Sequence, residues 1–120
     1  MHDTIINERL HNILESISLI EERMLDITTP SDFRSTKEGL KTLDSIAMRL
    51  QHIAENIKKI DGFQPDFFET KIIMDPQPII NFRDFISHHY ERTDVEIIYD
   101  ICLNDIQELK VKINNYWKFS

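Results

Sequence analysis

Three stretches of this chain place apolar residues three and four positions apart, in alternation. That period belongs to one face of an α-helix, so the pattern constrains the fold more than any other feature. From Asp3 to Ile27 the series is Ile6, Leu10, Ile13, Ile17, Ile20, Met24 and Ile27. From Thr36 to Ile60 it is Leu40, Leu43, Ala47, Leu50, Ala54 and Ile57, widened by Ile46, Ile53 and Ile60. From Val95 to Trp117 it is Val95, Ile98, Cys102, Ile106, Leu109, Ile113 and Tyr116. A stripe as wide as the second predicts contact with more than one neighbouring helix.

Breaker clusters delimit these stretches. Asp3 or Thr4 is expected to cap the first helix. Thr28-Thr29-Pro30-Ser31-Asp32 ends it, and Asp61-Gly62 reads as the stop of the second. Gln64-Pro65-Asp66 opens a short helix through Met74, which Asp75-Pro76-Gln77-Pro78 interrupts. A further long element is expected from Ile79 to Glu91, and Thr93 or Asp94 is expected to cap the last helix. The 120 residues hold only 2 glycines and 4 prolines, too few turn formers for an all-β domain. The predicted fold is therefore all-α: an up-and-down bundle of four main helices plus a short connecting helix, in one domain over residues 1–120.

Charge and cysteine content narrow the function classes. The formal net charge of -7 opposes a general affinity for DNA or for an anionic membrane, so any RNA contact has to be local. No apolar run is long enough to span a bilayer, and the start lacks the basic-then-apolar pattern of a signal peptide. The single Cys102 permits no internal disulfide. The expectation is a soluble cytoplasmic protein.

Chemistry concentrates in Phe82-Arg83-Asp84-Phe85-Ile86-Ser87-His88-His89-Tyr90. An always-charged guanidinium, an imidazole that titrates near neutral pH and a phenol fall within eight residues. On a regular helix Arg83, Ser87 and Tyr90 share a face, whereas His88 lies about 140° round from Arg83. For both to act on one phosphate, the helix must end or bend near His88, or a second copy of the chain must complete the site. Asp84, one turn before His88, is placed to orient its imidazole. The fitting reaction is metal-independent RNA cleavage. The ribose 2′-hydroxyl attacks the adjacent phosphorus, His88 moves a proton and Arg83 steadies the phosphoryl oxygens. By composition alone, an arginine five residues before a histidine arises about one time in four. Requiring the tyrosine two further on lowers that below about one in a hundred.

The pattern of arginine, four residues, histidine, one residue, tyrosine resembles the motif of the HepT-like family within the HEPN superfamily of small helical-bundle toxins. It falls on Arg83, His88 and Tyr90. Met48-Arg49-Leu50-Gln51-His52-Ile53-Ala54-Glu55-Asn56 is similar to the family's second-helix stretch, with Ala54 at its usual glycine and His52 at an aliphatic position. Tyr90-Glu91-Arg92-Thr93-Asp94 resembles its turn into the last helix. Asp84 stands where the family often has asparagine. The resemblance implies a homodimeric ribonuclease toxin without cofactor or metal. It implies a partner too, an MntA-like minimal nucleotidyltransferase antitoxin that transfers AMP from ATP onto Tyr90. Such an adduct adds negative charge two residues from His88 and repels RNA phosphate.

The remaining candidates have structural readings. His2, His11 and His52 are scattered without metal-ligand spacing. His89 is expected to pack or bond locally, and Tyr116-Trp117 to pack on the bundle. Glu8, Glu15, Glu21 and Glu22 form a solvated acidic face. Only the family resemblance points Glu55 toward the site. The competing functional reading is a non-catalytic subunit that pairs with a nucleotidyltransferase, which the acidic charge favours; a plain helical dimer leaves the clustering of Arg83, His88 and Tyr90 unexplained.

Overall fold

The computed structural model describes residues 2–82 and 91–119, and every regular element among them is helical. Helix α1 spans His2–Arg23 and tightens into a single 3₁₀ turn at Met24–Asp26. A short helix α2 (Asp32–Ser35) leads into α3 (Lys37–Phe63). A π-helical turn follows at Phe68–Ile72, then α4 at Gln77–Ile80. After the gap come α5 (Arg92–Asp100), a second π-helical turn (Ile101–Asp105) and α6 (Ile106–Phe119), which run on from one another.

The apolar stripes form the core. Ile6, Leu10, Ile13, Ile17 and Ile20 of α1 are buried, as are Leu43, Ile46, Leu50, Ile53, Ala54, Ile57 and Ile60 of α3. From the last stripe Val95, Ile98, Cys102, Ile106, Leu109 and Ile113 are buried, and Tyr116 packs partly buried against them. Each isoleucine or leucine so buried contributes about 1.5–3 kcal/mol of hydrophobic stabilisation, opposed by the entropy of ordering the chain. Leu40 departs from the expected stripe and is exposed. Its neighbour Gly39 is buried instead, because α2 lies across the first turn of α3 there. A Cβ on Gly39 would run into the backbone carbonyl oxygen of Asp32, so only glycine permits this approach.

Polar contacts set the order of the helices. Glu21 accepts from Lys110 Nζ at 3.0 Å, while Asn7 accepts from Trp117 Nε1 at 2.9 Å. Residue numbers rise along α6 as they fall along α1, so the two are antiparallel. His11 stacks on Trp117 with ring centroids 4.5 Å apart, so the carboxyl-terminal aromatic pair does pack on the bundle. Between α1 and α3, Arg9 reaches the buried Asn56 Oδ1 at 3.5 Å, and Asn56 Nδ2 donates to the His52 carbonyl at 2.8 Å. That polar crossing is absent from any apolar pattern.

Several boundaries differ from the expected ones. Helix α1 starts at His2, ahead of both expected caps. Asp61-Gly62 does not stop α3: the helix continues to Phe63, and Gly62 keeps an ordinary helical backbone. The Asp75–Pro78 interruption is real, yet Gln77 and Pro78 themselves begin α4, where proline's missing N–H costs nothing. The last helix is capped earlier than expected. Glu91 is the N-cap and Asp94 closes the capping box, with Asp94 Oδ2 accepting from the Glu91 N–H at 3.1 Å.

Candidate functional site

The catalytic candidates Arg83, Asp84 and His88, the acceptor Tyr90 and the adjacent His89 all lie outside the described residues. Their geometric relation, including the 140° offset between Arg83 and His88, stays a sequence expectation. The structure does fix the chain on either side of them.

On the entering side, Asp75 Oδ1 accepts from the Gln77 N–H at 3.0 Å, and Gln77 Nε2 donates to Asn81 Oδ1 at 2.8 Å. Ile79 and Phe82 are fully buried, so the last described residue before the motif is a core anchor. On the leaving side, the Glu91–Asp94 box and the buried Val95 fix the first turn of α5. Helix α4 packs against the π-helical turn Ile101–Asp105. A π turn inserts one extra residue per turn and shifts the side chains that follow, and such turns occur often at functional sites. The described residues on each side of the motif are thus part of the packed bundle.

Two of the concavities among the described residues bear on the site. The larger, about 780 Å³, lies between the first π turn and the end of α6, with Lys71, Lys112, Asn115 and Tyr116 in its wall. Among the described residues that line it there is no histidine or carboxylate. Lys112 Nζ is also committed to the Ile73 carbonyl at 3.1 Å. The smaller, about 360 Å³, is walled by Pro30, Ser31, Arg34, Arg92, Val95 and Glu96. Arg92 stands two positions after Tyr90, which puts this cleft at the exit of the motif segment. Arg34 and Arg92 are 58 residues apart in sequence, and no spacing rule would have paired them.

Local electrostatics support a fixed frame rather than a second reactive centre. The Asp32 carboxyl is held below its ordinary range, first by the Thr28 backbone N–H and then by that of Thr29. Burial pushes the Cys102 thiol up to about 12, so it stays protonated and inert inside the bundle. Asp105 is raised by desolvation and by the charges of Asp100 and Glu108. Among the described residues no three His, Cys, Asp or Glu side chains converge as metal ligands, and no helix is long and apolar enough to cross a membrane. Glu55, half-buried on α3, accepts from Gln51 Nε2 at 3.2 Å. Of the expected acidic face, Glu8, Glu15 and Glu22 are exposed, but Glu21 is the partner of Lys110.

The family described as "Ribonuclease HepT-like" matches residues 13–116, which includes the whole Arg83–Tyr90 stretch. The chain is also similar to "Putative RNase MJ0127" of Methanocaldococcus jannaschii, 30% identical over 106 residues that cover 84% of this chain and 81% of that one. No solved structure matches it significantly. An all-α bundle, its core stripes and a family match over most of its length agree: the chain belongs to the HepT-like ribonuclease family.

Proposed function

We propose that this protein is the ribonuclease toxin of a toxin–antitoxin pair, with Arg83 and His88 as its catalytic residues. The observation that carries the reading is the family match across residues 13–116, which brings the Arg83, His88 and Tyr90 pattern inside a ribonuclease family. In the reaction the ribose 2′-oxygen forms a bond to the neighbouring phosphorus as the bond to the 5′-oxygen breaks. The products are a 2′,3′-cyclic phosphate and a free 5′-hydroxyl. The 2′-hydroxyl loses a proton and the 5′-oxygen gains one: His88 makes one of these transfers and solvent water the other, Arg83 offers its guanidinium fork to the phosphoryl oxygens, and Asp84 orients the imidazole. No metal or cofactor is called for, and a second copy of the chain completes the site as a homodimer.

Regulation falls to Tyr90. An MntA-like nucleotidyltransferase bonds the phenolic oxygen to the α-phosphorus of ATP, and pyrophosphate leaves. The adduct places a bulky anion beside the site and repels RNA. The net charge of -7 supports a second reading, in which the chain is a non-catalytic subunit of that transferase.

Purified protein incubated with RNA in the presence of a chelator separates the two. The toxin reading expects cleavage that falls by about 100-fold or more in His88→Ala. It also expects intact mass to rise by AMP units on co-expression with the transferase, a gain lost in Tyr90→Phe. Intact RNA with wild type and His88→Ala alike, from protein whose Tyr90 is unmodified, excludes the ribonuclease reading.

A further inference from the structure

We infer that the cleft between α2 and the start of α5 is a phosphate subsite, in which Arg34 and Arg92 hold a backbone phosphate of single-stranded RNA beside the scissile position. The inference deepens the ribonuclease reading above and rests on it for the choice of RNA as ligand.

A chain of net charge -7 repels a polyanion, so RNA binding needs a local cluster of cations. The arginines are the best phosphate ligands, and two of the five described ones are engaged elsewhere. Arg9 reaches Asn56, and Arg23 donates to the Leu19 carbonyl at 3.1 Å. Arg34 and Arg92 instead wall one cleft, and no carboxylate among the described residues pairs with Arg34. Arg92 bonds Glu96 at 3.3 Å, but that pair is solvent-exposed, with 85% and 51% of the two side chains accessible. An ion pair so exposed is weak and exchanges readily for a phosphate, which offers the fork two oxygens. Glu96 is therefore a competitor inside the site.

The cleft is also built stiffly. Asp32 ties Thr28 and Thr29 to α2 through bonds of 2.8, 3.0 and 3.1 Å. Tyr99 on α5 donates to the Thr28 carbonyl at 2.9 Å and packs edge-on against the buried Phe33, which lies next to Arg34. The wall bearing Arg34 and the helix bearing Arg92 are thereby joined directly. The backbone that carries the two arginines is thus fixed, and only their exposed side chains are ordered when the ligand arrives.

The test measures binding of a short RNA whose 2′-oxygens are methylated, which keeps every phosphate and blocks cleavage. Arg34→Ala and Arg92→Ala are each expected to weaken binding about fivefold and to lower the slope of log affinity against log salt by about 0.7. Glu96→Gln is expected to tighten binding, which no structural loss would do. Lys59→Ala, a lysine on α3 outside the cleft, is expected to change neither as much. Arg34→Lys keeps the charge and checks that folding is not the cause. Arginine variants that bind like wild type, or Glu96→Gln without a gain, overturn the subsite. Cleavage of unmodified RNA by wild type is read in parallel. Cleavage with unchanged binding in the arginine variants removes the subsite alone. Weakened binding in those variants without cleavage by wild type removes the catalytic reading alone. A wild type that neither binds nor cleaves removes both.

Discussion

The two connections that flank α3 solve the same problem in opposite ways. Before α3, residues 27–36 are held by short polar side chains: Asp32 collects Thr28 and Thr29, Tyr99 reaches the Thr28 carbonyl, and Thr36 accepts from the Gly39 N–H at 2.9 Å. After α3, residues 64–76 lean more on backbone conformation, with Asp61 Oδ1 accepting from the Asp66 N–H at 3.1 Å as a side-chain tie. Asp66 and Ile73 take φ of 63° and 66°, the Met74 N–H reaches back to the Phe68 carbonyl at 2.9 Å, and Lys112 secures Ile73 from outside. Left-handed backbone at a β-branched residue is costly and persists only where packing enforces it. Here the buried Phe67, Phe68 and Ile72 do so. The first connection depends on which side chains are present, and the second on where the core puts the chain.

The sharpest way to break the first connection is at its tightest contact. Gly39→Ala drives a methyl group into the Asp32 carbonyl and is expected to destabilise the protein by about 3 kcal/mol in urea unfolding. An unchanged midpoint would mean that α2 does not lie on α3 as described. Asp32→Ala is expected to cost less, because its bonds are exposed to water. Its signature is a pH dependence. The folded carboxyl is held below its unfolded value, so Asp32 stabilises above the ordinary carboxylate range and loses that contribution as pH falls through it. Wild type and Asp32→Ala should therefore differ at neutral pH and converge in acid. Parallel pH curves would assign the loss to something other than the charge.

The second connection is expected to respond in the other direction. Ile73 is 59% exposed, so its side chain contributes little packing while its backbone carries the strain. Ile73→Gly removes about 1–2 kcal/mol of left-handed strain, against about 0.5–1 kcal/mol of unfolded-chain entropy that glycine adds, so the unfolding midpoint should rise slightly. A clear loss would show that the isoleucine side chain contributes more packing than its exposure suggests.

Legibility in the sequence follows the same division. The Thr28–Asp32 cluster announced its turn chemistry, and the apolar stripes announced the helices, because both act between near neighbours. Leu40 was misassigned to the core because α2 covers the adjacent Gly39, a contact that no period encodes. The π turns at Phe68–Ile72 and Ile101–Asp105 have no composition of their own, since they arise where packing shifts a helix by one residue. At the site, the motif residues were readable as spacing. The Arg34–Arg92 cleft was not, because its halves come from distant parts of the chain.

Gly62 offers the smallest and cleanest test. Asp-Gly after an apolar stripe reads as a helix stop, yet α3 passes through Gly62 with a negative φ, and Gln64 N–H still bonds the Ile60 carbonyl at 2.9 Å. Nothing lies within 4 Å of a Cβ placed there. A glycine that keeps right-handed helical backbone in the last turn, as Gly62 does next to the end of α3, still weakens the helix relative to alanine, chiefly through the entropy of the unfolded chain. Gly62→Ala is therefore expected to stabilise by about 0.5–1 kcal/mol, the reverse of Gly39→Ala at the other end of the same helix. A true stop at Gly62 would need left-handed backbone, and alanine there would destabilise. The sign of one small shift in the unfolding midpoint thus decides whether α3 ends by its own sequence or is carried past its stop by the Phe67 and Phe68 anchors beyond it.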